Sequence, residues 1–211
     1  MKKKRQDAGF TLTEVAIVLG VIVAIFAAIW AAASAAFTEK KIYAAAQRVS
    51  DIVTDIRMRY VNDRVRLTCT NASIVKKLLE DDVIDKGWVI KDANIIETAV
   101  GKMDVWTSQN GCAENYPLRF FVFLKDLTPE MCIKMLFSKI DYNDSSIGIT
   151  QVCVGSWSSI SSDCKEIKYD RSTGVWGPDG KHWTLQEVEN LCGAGQGRAF
   201  RSVGWEFKLK N

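Results

Sequence analysis

The chain has 211 residues, with 28 Lys and Arg against 25 Asp and Glu and a formal net charge of +3. That length accommodates an anchor segment plus one globular domain of ordinary size, about 100–150 residues, and excludes a second full domain. Lys2, Lys3, Lys4 and Arg5 stand against one acid, Asp7, before residue 10, so the rest of the chain is formally neutral; this excludes an argument for nucleic-acid binding from net charge, though not a local basic patch.

After the basic stretch come Gly9, Phe10, Thr11, Leu12, Thr13 and Glu14, then an uncharged apolar run over residues 15–37. About 20 helical residues cover the roughly 30 Å of bilayer hydrocarbon, so this run is long enough to span a membrane. The apolar core of a secretory signal is shorter, about 7–15 residues. Lysine and arginine stay on the cytoplasmic side, which puts everything after residue 37 outside. Glu14 stands at the start of the apolar segment, where lipid disfavours a charge by about 3 kcal/mol unless a partner neutralises it.

The helical pattern does not stop at Phe37. Ile42, Ala45, Ala46, Val49, Ile52, Val53, Ile56 and Tyr60 share one face, while Lys40, Arg48, Asp51, Asp55 and Arg59 fall on the other. With no proline before Pro117, the pattern predicts one helix over about residues 11–61, roughly 75 Å long. The alternative is two helices broken near Thr38. Residues 73–80 read as a short helix ending near 85–87. Residues 118–124, with Phe120, Phe121, Val122 and Phe123, predict a central strand. Thr128, Pro129 and Glu130 supply cap, first-turn proline and first-turn acid for a helix through Phe137.

Residues 147–154 and 165–169 read as paired strands, followed by a turn-rich stretch with Thr173, Gly174, Gly177, Pro178, Asp179 and Gly180. Thr184 and Glu187 form a capping-box pattern for a helix reaching Leu191, and residues 202–209 read as the last strand. The expected fold class is therefore α+β, a long amino-terminal helix packed on an antiparallel-sheet head. The expected division is 1–9, 10–37, 38–61 and a head over 62–211.

Six cysteines, Cys69, Cys112, Cys132, Cys153, Cys164 and Cys192, all lie on the outward side. An even count in an oxidising compartment predicts disulfides and leaves their pairing open. No Cys-x-x-Cys occurs and the single histidine, His182, has no cysteine pair at ligand spacing, so no metal is expected. Asp81 with Asp82, and Asp141 with Asp144, match no EF-hand loop and read as solvated loop acids. No cofactor is implied, and no nucleophile, base and orienter come together in the sequence, so no enzymatic activity is expected. Trp88, Trp106, Trp157, Trp176, Trp183 and Trp205 are read as core or inter-subunit residues, with an exposed adhesive patch as the alternative.

A short basic leader, a Gly9–Phe10 junction and a glutamate at position 14 together resemble the start of a type IV prepilin. The resemblance implies cleavage between Gly9 and Phe10 by a prepilin peptidase, methylation of the new Phe10 amine, and an assembly role for Glu14. It also implies a life first in the bacterial inner membrane and then in an extracellular filament. The expected partners are other copies of the chain, the peptidase, and an inner-membrane platform with its assembly ATPase.

The stretch 118–136, with Thr128-Pro129-Glu130 and Cys132, looks like type IVb pilins, including conjugative thin-pilus subunits. So does the end, where Cys192 precedes glycines and an aromatic strand with Val203, Trp205 and Phe207. By that likeness Cys132 pairs with Cys192. Cys153 with Cys164 would then close a short hairpin, and Cys69 with Cys112 is what remains. The nine-residue leader and Phe10 look instead like the type IVa class. A minor pilin or a type II secretion pseudopilin would share Gly9, Phe10 and Glu14. From a different class, a pilin-like anchor displaying an adhesin or DNA receptor would be favoured by a surface cluster near Arg171, Arg198 and Arg201.

Overall fold

The computed structural model describes residues 11–62, 67, 72–85, 87–88, 90–91, 95–107, 119–138, 148–155, 164–170, 175–178, 184–193 and 201–209. The chain divides into two compact units, Met1–Lys40 and Lys41–Asn211. Helix α1, Leu12–Asn62, begins in the first and ends in the second, with no break at Thr38. Its sequence offers no reason to stop: proline is absent and Gly20 is its only glycine. The Thr38 hydroxyl, the one local competitor near the proposed break, donates 3.0 Å back to the Ser34 carbonyl and leaves the helix intact.

Within the first unit the apolar side chains of α1 are exposed, among them Leu12, Ile17, Phe26 and Trp30. In the second unit the helix is one-sided. Ile42, Ala45, Ala46, Val49, Ile52, Val53, Ile56 and Tyr60 are buried, as their spacing predicts. Each fully buried Ile or Val contributes about 1.5–3 kcal/mol.

The head contains α2 (Val75–Glu80), β1 (Ile90–Lys91), β2 (Ile95–Glu97), β3 (Lys102–Thr107), β4 (Arg119–Leu127), α3 (Pro129–Ser138), β5 (Ile149–Gly155), β6 (Cys164–Asp170), β7 (Val175–Pro178), α4 (Leu185–Leu191) and β8 (Arg201–Lys208). The strands form one sheet in the order β1-β2-β3-β4-β8-β5-β6-β7, and every neighbouring pair is antiparallel. The architecture is α+β. The last strand lies at its centre, between β4 and β5, so the carboxy-terminal segment is a structural member of the sheet.

The buried face of α1 joins Met103, Val105, Phe120, Val122, Val203, Trp205 and Phe207 of the sheet in one core. Phe120 and Phe207, register partners on β4 and β8, stack with centroids 5.5 Å apart. The Arg57 side chain of α1 also donates from Nε and Nη2 to the Lys208 carbonyl at 3.0 and 2.8 Å, tying the helix to the end of β8. Two glycines permit close approach. A Cβ at Gly101 would lie 2.2 Å from the Lys125 carbonyl oxygen, and one at Gly204 would lie 2.1 Å from the Phe123 ring.

The head departs from the sequence expectation at both sheet edges. Strands β1 to β3 are not among the predicted elements, and the stretch expected as turns contains β7, with Gly177 and Pro178 inside the strand. Proline is tolerated there because β7 is the edge strand and needs no further ladder donor.

Candidate functional site

Glu14 lies in the first turn of α1, and the local sequence explains its position. The Thr11 backbone N–H and hydroxyl each donate to Glu14 Oε2 at 2.9 Å, while the Glu14 N–H donates to Thr11 Oγ1 at 3.3 Å. This is a reciprocal capping box, Thr-x-x-Glu, that satisfies donors otherwise orphaned at the helix start. Capping is a second duty beside the assembly role that the resemblance implies, and its sequence signal is the Thr-x-x-Glu spacing at 11–14. Oε1 accepts no hydrogen bond among the described residues, so the carboxylate can cap its own helix and still offer an oxygen to a cation.

Beyond Glu14, α1 is long and apolar enough to cross a membrane, and over residues 15–37 its large apolar side chains are exposed. Hydrocarbon is one environment that satisfies such a surface; the matching helices of other copies are another. Gly9 and Phe10, the proposed cleavage and methylation positions, lie outside the described residues.

The head presents a covalent staple. Cys132, in the first half of α3, is bonded to Cys192, the residue that closes α4, with Cα atoms 5.8 Å apart and a sequence separation of 60. It is the pair that the resemblance implies. Both helices are placed by their caps: Met131 N–H donates to Thr128 Oγ1 at 3.3 Å, and Thr184 and Glu187 close the capping box read from the sequence. Cys153 is disulfide-bonded, and Cys164 is its direct register partner across β5 and β6. Cys69 and Cys112 lie outside the described residues.

Among the described residues no group of three or more His, Cys, Asp or Glu side chains comes together to hold a metal ion. Asp81 accepts from the Tyr60 hydroxyl and from Lys77 Nζ, each at 2.6 Å, so it ties the end of α1 to α2. A groove of about 370 Å³ beside it is lined by Asp55, Met58, Arg59, Asp82 and Val83. Arg201 is buried beside Gly193, so it adds nothing to the surface cluster that would have favoured an adhesin or DNA receptor. Trp205 is fully buried, Trp106 packs edge-on to Phe123, and Trp88 lies under the Arg48 guanidinium at 4.7 Å. His182, Asp141, Asp144, Arg171, Arg198, Trp157 and Trp183 lie outside the described residues, as does the side chain of Trp176.

The Asp81 link predicts an acid-sensitive term. Hydrogen bonds from Lys77 and then Tyr60 hold its carboxyl below the usual carboxylate range, while burial pushes the Tyr60 phenol up and keeps it a donor. A depressed carboxyl stabilises the fold above its unfolded pKa, about 3.9, and loses that contribution as pH falls through the lower folded value. Urea titrations of the wild type and Asp81→Asn should therefore differ at pH 7 and converge as the pH falls through that lowered folded value.

Comparison with models of known protein families gave no match, and comparison with curated proteins gave none. The class that fold and geometry define is an α+β protein with a potential membrane-spanning helix near its amino terminus and a disulfide-stapled antiparallel-sheet head.

Proposed function

We propose that the chain is a structural subunit of a type IV pilus, made as a prepilin, cut between Gly9 and Phe10, and polymerised through α1 into an extracellular filament. The observation that carries this reading is the combination in one helix of three parts. They are a glutamate in the first turn, an exposed apolar segment, and an amphipathic segment buried on an antiparallel sheet.

Each part has a physical use in such an assembly. Before polymerisation the apolar segment sits in the inner membrane. On leaving the bilayer it stays dry by packing against the same segment of other copies, which couples extraction to growth. Parallel, staggered copies make heterologous contacts that do not close, and these generate a filament. The Phe10 amine released by the peptidase is a cation in a low-dielectric setting, and Glu14 of a neighbour neutralises it; a half-made pair there is costly. The partners are therefore other copies, the peptidase, and the platform and ATPase that drive extraction. The chain acts as a building block, not as a catalyst.

Substituting Glu14→Ala in the native gene tests the reading. The expected result is a processed chain retained in the membrane and filaments reduced at least about tenfold in sheared surface material, the loss that roughly 1.4 kcal/mol per assembly contact would produce. Undiminished filament yield would contradict the assembly role of Glu14.

A further inference from the structure

One buried cluster in the head is separate from the helix features on which the proposed assembly rests. Asp104 on β3 and Lys125 on β4 are 2 % and 7 % exposed, and Lys125 Nζ lies 2.6 Å from Asp104 Oδ2. The other carboxylate oxygen, Oδ1, accepts from the Ser73 hydroxyl at 2.6 Å and from the Val105 N–H at 2.9 Å. The backbone holds all four groups. Ser73 forms a bridge with Trp106, and Ile74 N–H donates to the Val105 carbonyl, which sets Ser73 over Asp104. Gly101 admits the Lys125 carbonyl to close range, and β3 and β4 are in continuous register from Lys102 with Lys125 to Thr107 with Phe120. The nearest other charges, Lys102 and Asp126, are half exposed and paired with each other at 2.9 Å, so they do not compete for the buried pair.

Two charges buried this way are costly, and one proton passed along the 2.6 Å contact removes both, giving the neutral pair from which an amide can form. Burial pushes the Lys125 ammonium down, against the opposing pull of Asp104. The amine sits 2.6 Å from Oδ2, the oxygen bonded to the carboxyl carbon, and folding instead of collision holds it there. Charge that develops on Oδ1 during attack meets two donors already aimed at it.

We propose that Lys125 and Asp104 join in a side-chain amide that cross-links β3 to β4. The Nζ lone pair attacks Cγ, the Cγ–Oδ2 bond breaks, and Oδ2 leaves as water with the acid proton and one amine proton. The Nζ–Cγ amide remains. Atoms and charge balance without an oxidant or co-reactant, and two buried charges disappear. The cross-link stands independently of the pilus reading, since it needs only the folded head.

The test is peptide mapping of the full-length protein after denaturation, reduction and trypsin digestion. The expected result is a branched peptide that joins residues 103–119 to 120–134, uncut after Lys125 and showing two amino termini, Met103 and Phe120, on sequencing, which separates it from the linear 103–134 peptide of the same mass. Lys125→Arg should give only linear peptides. Wild-type protein that yields linear peptides with unmodified Asp104 and normal cleavage after Lys125 would overturn the proposal, whether or not the variant folds.

Discussion

Replacing Cys132 and Cys192 by serine is expected to destabilise the head by about 4 kcal/mol, as loop-closure entropy gives for a bond spanning 60 residues. For a chain of this size the loss corresponds to a fall in melting temperature of roughly 8–16 °C. The bond acts where few other contacts would. It joins α3, which follows β4 directly, to the end of α4, and so limits how far the connection into the central strand β8 can wander in the unfolded chain. Thermal unfolding of oxidised wild type and the double serine variant, followed by circular dichroism, checks the figure. A difference below about 1 kcal/mol would mean that the unfolded chain is already constrained there.

Trp205→Ala is expected to cost about 3–5 kcal/mol, through lost transfer energy and the cavity left behind. Trp205 is fully buried on β8, opposite Val122 on one side and Val152 on the other, so the void would open at the middle of the sheet. The effect differs in kind from loss of the disulfide, because it resides in the folded state. Trp205→Phe should recover part of the loss, whereas no single residue restores the staple. Urea denaturation midpoints for the three chains provide the comparison.

The long helix was legible because two signals agreed over many turns: an uncharged run and then a stripe at helical spacing, with no proline to interrupt them. Helices α3 and α4 were legible from their caps, Thr128 and the Thr184–Glu187 box, and β4 from its run of phenylalanines. Strands β1 and β2, of two and three residues, are too short to show a period. In β3 Asp104 lowers the strand propensity, and its burial is met by Lys125 and Ser73, which are distant in sequence. Gly177 and Pro178 mark turns in most contexts, and only the edge position of β7 reconciles them with a strand.

At the candidate site, the charge of Glu14 in an apolar segment was legible, while its capping duty was masked by that stronger oddity. Spacing alone left the cysteine pairing open; the Cys132–Cys192 pair followed from the resemblance. The Lys125–Asp104 contact was not legible at all, because it depends on the register of two strands and on Ser73 reaching across from a third segment.

The most direct measurement of the central claim is the amino-terminal sequence and intact mass of the protein in filaments sheared from the cell surface. The account predicts a chain that starts at Phe10 and is abundant in that material. A chain that retains Met1 or Lys2 and is found only in membranes would contradict it, and would leave a simple anchored domain in place of a pilus subunit.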